Sequence, residues 1–271
     1  MTAPRIAVAT VFLPRMELEY LGDWIAYHRN LGITHFYLYN NGHVSHDAKF
    51  NQTAANQTWQ KRPEADYHTE LSDEEVDQQV SSILADSGPY VFHISWPGGS
   101  EGHGGFYVAQ MRAVNSLLKQ LQSSQEADWL AFIDIDELLV PAQDSLSTIL
   151  NGVDSDCAAL LLSQKLFESR WQGGRGVPYS RITRSFGVLD FNHKLIARVS
   201  HCRRWENPHS IQVNQGRVTK FPASRLRFHH FRGNEHFGKA APPGWGVHRY
   251  IMLEGTIEDD SSHLEFLPHH Q

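Results

Sequence analysis

Cysteine is scarce: Cys157 and Cys202 are the only two in 271 residues. Two thiols build no disulfide framework, and a reducing compartment is the simplest reading, so a cytoplasmic location is expected. The seventeen histidines follow no Cys/His spacing of a structural zinc site. Long hydrophobic runs are also missing. No stretch reaches the roughly 20 apolar residues of a membrane-spanning helix, and the N-terminus lacks the charged start, apolar core and cleavage site of a secretory signal. A protein without a transmembrane segment is expected, with peripheral membrane contact left open. Positive charge is in deficit: the formal net charge is −6, and no basic run offsets it, which argues against a general nucleic-acid binder. Neither an internal repeat nor a clear interdomain linker is found. At this length a single large α/β domain over 1–271 fits, with a sizeable core.

Among what is present, residues 129–140 (WLAFIDIDELLV) dominate. An almost continuous apolar run followed by Pro141 reads as a strand buried on both faces, as in the middle of a parallel sheet. Asp134, Asp136 and Glu137 interrupt it. Residues two apart on a strand share a side, so Asp134 and Asp136 are expected to project together near the strand's end. Two adjacent carboxylates repel each other unless a cation or donor compensates. Magnesium or manganese suits them, because hard cations take one or two protein carboxylates and fill their shells with substrate phosphates and water. Two solvated acids at a strand end would give the same pattern.

The rest of the chain reads as alternating strands and helices. Residues 6–12 form an apolar strand ended by Pro14. Leu21, Trp24, Ile25, His28 and Leu31 share one helical face, closed by Gly32, and residues 33–39 make a second strand, giving a βαβ unit with a parallel sheet. The chain turns polar from Val44 to about Gly88, with one helix opened by the capping box Ser72–Glu75. Residues 90–96 read as a third strand. The glycine-rich loop 97–105 lacks the Walker spacing and lysine. Met111, Val114, Leu118 and Leu121 carry a helix with Gln110 near its start. Later come a short helix at 145–150, strands at 157–163 and 194–199, and a glycine-rich loop at 171–176. Basic residues concentrate after Glu168, where they could hold an anionic group such as a diphosphate.

Several stretches together resemble glycosyltransferases of the GT-A type, most closely glycosyltransferase family 92 and its bacterial family-2-like relatives. Residues 15–28 (RMELEYLGDWIAYH) are similar to that family's K-N-E-x-x-Y-L-x-E-W-x-x-Y-H, with Arg15, Glu17, Tyr20, Leu21, Trp24 and His28 fitting. Residues 32–42 resemble G-V-x-H-F-Y-I-Y-D-N-x, with Asn40 where the family usually has aspartate. Residues 129–141 resemble W-x-x-F-x-D-I-D-E-F-L-V-P almost residue for residue. His193 to Arg198 with His209 resemble a K-x-I-x-R then H pattern. His230-Phe231 with Phe237 and Lys239 resemble a shortened terminal motif, which leaves His229 as the alternative to His230.

The resemblance implies a GT-A, Rossmann-like fold with a mostly parallel central sheet flanked by helices, residues 1–141 being the nucleotide-sugar half and 142–271 the acceptor half. It implies a metal-dependent hexosyltransferase moving a sugar from a nucleotide-sugar donor, UDP-linked, to a glycan or glycolipid acceptor with inversion. Asp134 and Asp136 would hold Mn2+ or Mg2+ with His230 as third ligand. Arg15, Glu17, Asn40, Gln110 and Asp134 would meet the donor. An inverting enzyme needs a carboxylate base on the acceptor side. Glu168 is the choice among Glu168, Asp190 and Glu235. Trp171 and Trp245 are candidates to stack on an acceptor sugar or to pack within their loops. The alternatives are a metal-dependent phosphohydrolase or nucleotidyltransferase and a non-catalytic carbohydrate-binding relative.

Overall fold

Strand β1 (Ile6–Phe12) carries no charge and is buried along its whole length, as the inner strand of a parallel sheet should be. The computed structural model describes residues 2–42, 71–96, 105–167, 171–172, 175–176, 178–231 and 258–267. Pro14 ends the strand by opening helix α1 (Pro14–Asn30), where its missing N–H costs nothing. Gly32, at φ +92°, turns the chain out of that helix and into β2 (His35–Asn40). Helix α2 (Asp73–Asp86) starts at the capping box, with Glu75 N–H donating to Ser72 Oγ and Ser72 N–H to Glu75 Oε2. Then come β3 (Val91–Ser95), α3 (Gly105–Ser124) and β4 (Trp129–Phe132).

The alternation of β1 builds two cores. Ile6, Val8 and Phe12 share a cluster with Leu21, Trp24 and Ile25 of α1. Ala7, Ala9 and Val11 share another with Val114, Leu117 and Leu118 of α3. The two helices therefore cover opposite faces of the sheet. Strands β1 to β4 are mutually parallel in the order β3-β2-β1-β4. The chain leaves β1 on one side and returns to it on the other. Such a reversal opens a crevice at the carboxyl ends of the two strands, here β1 and β4.

Beyond β4 the sheet is mixed. Residues 129–140, expected as one strand, divide into β4 and β5 (Glu137–Pro141), with three other strands of the sheet between them. The reason is electrostatic: three carboxylates within four residues cannot all be buried in a ladder, so the chain turns at Asp134–Glu137, where Glu137 N–H donates to Asp134 O at 3.1 Å. The short α4 (Leu146–Asn151) is capped by Ser145 Oγ, and β6 (Cys157–Phe167) follows. The glycine-rich stretch forms a small antiparallel pair, β7 (Trp171–Gln172) and β8 (Arg175–Gly176). The strand expected at 194–199 is the end of a longer β9 (Arg184–Arg198). Strands β10 (Cys202–Asn207) and β11 (Ser210–Val213) pair with each other. Strand β12 (Arg217–Lys220) and β13 (Leu226–Phe231) run parallel to the two ends of β6, and β14 (Glu258–Asp259) pairs with β9.

Strand β5 lies at the sheet's edge among the described residues, yet is buried throughout, because α1 covers it. Trp24 Nε1–H donates to Glu137 O at 3.0 Å and Tyr27 Oη–H to Leu139 O at 2.7 Å. Leu139 N–H donates to His28 Nε2 at 3.3 Å, while His28 Nδ1–H donates to Trp24 O at 2.9 Å. Three side chains of one helix thus do the work of a neighbouring strand, satisfying backbone groups that burial would leave unpaired. Burial pushes His28 down to about 3, so it is neutral, with one nitrogen donating and the other accepting.

Candidate functional site

The turn after β4 stands at the β1/β4 crevice, and one backbone group of each of its first three residues is held. Asp134 N–H donates to Glu137 Oε2 at 2.9 Å, Ile135 O accepts the Tyr179 hydroxyl, and Asp136 O accepts Phe231 N–H at 2.9 Å. Ile135 is buried in the α1-side core and anchors the turn. The two aspartates are consequently aimed by a turn rather than by strand alternation, and they meet different partners.

Asp134 is engaged on both oxygens. Gln110 Nε2, on α3, donates to Oδ1 at 2.9 Å, and Lys194 Nζ lies 2.7 Å from Oδ2. The register of β9 accounts for the lysine: Leu195 pairs with Phe132, the last residue of β4, so Lys194 falls just past that strand's end. Lys194 also reaches Glu137 Oε2 at 2.9 Å, and the lysine and glutamate side chains are each only 2% exposed. Burial opposes the ammonium, but Asp134 and Glu137 hold Lys194 above the usual lysine range. Burial pushes Glu137 up, and Lys194 pulls it back. The signal for Lys194 was a lysine inside the apolar run KLIARV, since a buried ammonium demands a carboxylate partner.

Asp136 faces His230 instead. His230 Nε2 lies 3.4 Å from Asp136 Oδ2, with the side chains 16% and 17% exposed. His230 sits across the β13/β5 ladder from Glu137, and its Nδ1 lies 3.1 Å from Gln164 Oε1. Donation from Nδ1–H to that oxygen leaves Nε2 as the lone-pair nitrogen. That Nε2 is buried and has no hydrogen-bond partner among the described residues. One ligand atom each from Asp136, Glu137 and His230 fall within 4.8 Å of one another. An oxygen-rich set with one imidazole, its free nitrogen beside a carboxylate, fits manganese or magnesium.

Adjacent strand residues point to opposite faces, which separates the two candidate histidines. His229 is fully buried, stacks on Phe167 with ring centroids 4.3 Å apart, and accepts Arg227 Nε–H at 3.1 Å on its Nε2. Burial pushes it well below the usual histidine range. It belongs to a packed cluster that anchors the C-terminal segment: Lys165 and Arg227 meet Asp260 at 2.6 and 3.3 Å, and His263 Nε2 lies 3.0 Å from Tyr179 O.

The remaining candidates are dispersed. Arg15, in the first turn of α1, donates to Leu71 O at 2.9 Å and meets Asp73 at 2.5 Å, tying α1 to the start of α2. Glu17 is half-buried in the same turn. Asn40 closes β2 at the same sheet edge, accepting Gly42 N–H at 2.8 Å and standing 3.2 Å from His93 Nε2. His209 Nδ1 lies 2.9 Å from His193 O. Glu168, Glu235, Trp245 and the loop 97–104 lie outside the described residues, as do the side chains of Asp190 and Trp171. A polar groove including Arg5, Gln122, Asp128 and Arg198 lies at the opposite, amino-terminal ends of β1 and β4. No helix among the described residues is long and apolar enough to cross a membrane.

No protein-family model matches the chain, and no curated protein does. Among solved structures, it is similar to S. aureus TarS, with TM-score 0.40 and 10% identity over 92% of this chain and 42% of that one. It is also similar to the galactosyltransferase LgtC in complex with donor and acceptor sugar analogues, with TM-score 0.35 and 12% identity over 96% and 100% of the two chains. An active-site mutant of LgtC gives TM-score 0.36 and 12% identity over 93% and 96%. The chain spans less than half the length of TarS.

Proposed function

We propose that the protein is a metal-dependent glycosyltransferase that moves a sugar from a nucleotide-sugar donor, UDP-linked, to a glycan or glycolipid acceptor. The observation that carries this reading is the buried His230 Nε2, without a hydrogen-bond partner among the described residues and 3.4 Å from Asp136, at the carboxyl ends of β1 and β4, where doubly wound sheets bind their ligands. The resemblance of residues 15–28, 32–42 and 129–141 to family 92 points the same way.

In this reading Asp136 and His230 would hold the metal ion, and Asp134 keeps its oxygens on Gln110 and Lys194. A metal ion held there would supply Lewis-acid stabilisation of the diphosphate leaving group. Gln164 fixes the tautomer of His230, and Tyr179, Phe231 and Glu137 fix the turn. Residues 1–141 bind the nucleotide with Arg15, Glu17, Asn40 and Gln110 near the donor, and residues 142–271 bind the acceptor. The attacking hydroxyl loses its proton to a carboxylate, for which Glu168 is the proposed base in an inverting transfer.

The direct test incubates the chain with UDP-sugars, Mn2+ and glycan or glycolipid acceptors, and follows sugar incorporation beside free phosphate and pyrophosphate. Acceptor-dependent incorporation that disappears in Asp136→Asn meets the expectation. Phosphate release with no sugar transfer would identify a hydrolase instead. For the base, Glu168→Gln should keep UDP binding and lose transfer, and wild-type turnover in that variant removes Glu168 from the mechanism.

A further inference from the structure

The site contains a cation of its own. Lys194 Nζ is 2.7 Å from Asp134 Oδ2 and 2.9 Å from Glu137 Oε2, in a side chain 2% exposed. We infer that Lys194 occupies the Asp134–Glu137 half of the acidic cluster as a permanent counter-charge, confining divalent metal to the Asp136–His230 half and limiting the site to one ion. This deepens the glycosyltransferase reading and rests on it for the metal's role.

Three observations converge. First, three of the four oxygens a second metal would need are in use: Asp134 gives Oδ1 to Gln110 and Oδ2 to Lys194, and Glu137 Oε2 takes both Lys194 and the Asp134 N–H; the fourth, Glu137 Oε1, lies on the His230 side, 3.8 Å from Nδ1. Second, the charges balance one divalent ion. Among the described members of the cluster, Asp134, Asp136 and Glu137 give −3 and Lys194 gives +1, a sum of −2 that a single M2+ offsets. Third, a two-metal site needs ions about 3.5–4 Å apart bridged by shared carboxylates. In this chain the carboxylate pair that could bridge already has an ammonium between its members. Lysine is suited to this task because its compact charge on a flexible stem reaches both acids from β9.

The inference predicts what removal of the ammonium does to metal binding, a readout independent of turnover. Mn2+ binding to the full chain is followed by loss of the free-Mn2+ electron paramagnetic resonance signal and by calorimetry, with wild type and Lys194→Met compared. Wild type should bind one Mn2+. Lys194→Met should bind Mn2+ at least tenfold tighter, or bind two ions, because Asp134 and Glu137 become available. Binding by Lys194→Met that is no tighter and no more numerous than by wild type overturns the inference. Wild type that binds no Mn2+ while Lys194→Met does would sustain the counter-charge and remove the metal-dependent transferase reading. If Lys194→Met does not fold, Lys194→Met/Glu137→Gln carries the same titration, since it removes the ammonium with its most buried partner and still frees Asp134. A second arm uses Asp134→Asn, in which Lys194 keeps its bridge to Glu137. Where wild type binds one Mn2+, this variant should bind it within about threefold of the same affinity. A tenfold loss there would mean Asp134 is itself a ligand and also overturns the inference.

Discussion

Gln164 Oε1 lies 3.1 Å from His230 Nδ1; with the proton on Nδ1, donated to that oxygen, the other ring nitrogen, buried beside Asp136, presents a lone pair. An imidazole oriented from behind in this way is suited to hold a metal ion, as proposed for His230. Replacing Gln164 by Leu removes the acceptor and keeps the bulk. The expected result is a fall in Mn2+ affinity of roughly 10–100-fold, the usual cost of losing a partner behind a ligand, with far-ultraviolet circular dichroism unchanged. Unaltered affinity would mean that Gln164 does not orient His230.

The two neighbouring histidines of β13 should behave oppositely. His230→Ala is expected to abolish Mn2+ binding with little loss of stability. His229→Ala opens a hole against Phe167 and leaves Arg227 Nε–H without its acceptor, so it should cost about 2–4 kcal/mol by the mechanisms of cavity formation and a lost buried hydrogen bond, while a folded remnant still binds Mn2+. Denaturant unfolding with a parallel Mn2+ titration reads both effects.

Lys194 also carries stability. Removing one partner of a buried ion pair leaves an uncompensated charge, at a cost of about 3–5 kcal/mol. Lys194→Met should therefore lower Tm by roughly 10 °C or more in EDTA, given about 2–4 °C per kcal/mol for a chain of this size. Adding Glu137→Gln should recover a large part of that loss. A Tm within a degree or two of wild type in Lys194→Met would show that the pair is not energetically coupled.

The fold should weaken in acid through His28. Its folded value is pushed from 6.5 down to about 3 by burial, so between those values the unfolded chain takes up a proton that the folded chain does not. Its contribution is complete above about pH 6.5 and declines as pH falls, at up to about 1.4 kcal/mol per pH unit for one proton. His28→Gln should be less stable than wild type at pH 8, because the Trp24–Leu139 bridge is remade imperfectly, yet its stability should fall less steeply from pH 6.5 to 4.5. Parallel acid limbs for the two proteins would exclude His28 as the source.

Much of this was legible in the sequence, and the gaps have physical causes. The first βαβ unit and the capping box at Ser72 are local: apolar periodicity, Pro14 and Gly32 fix them within a few residues. The break between β4 and β5 was not legible from apolar content, because β5 is as buried as an inner strand. What buries it is Trp24, Tyr27 and His28, more than a hundred residues away in sequence, and no local pattern reports that. The acids 134, 136 and 137 were marked by their intrusion into an apolar run. Lys194 carried the same mark in its own run, but only the register of β9 against β4 brings the two intrusions together. The choice between His229 and His230 likewise waited on register, since adjacent strand residues are alike in sequence and opposite in direction.

In the proposed reading the nucleotide-sugar site is assembled around metal at Asp136 and His230. Thermal unfolding with UDP, with and without Mn2+, on wild type and Asp136→Asn, tests it most directly. UDP at about a hundred times its dissociation constant should stabilise wild type by roughly 2.7 kcal/mol, a rise of about 5–10 °C, only when Mn2+ is present and only when Asp136 is intact. Equal stabilisation of Asp136→Asn, or none in wild type across UDP and the other nucleoside diphosphates, would contradict it.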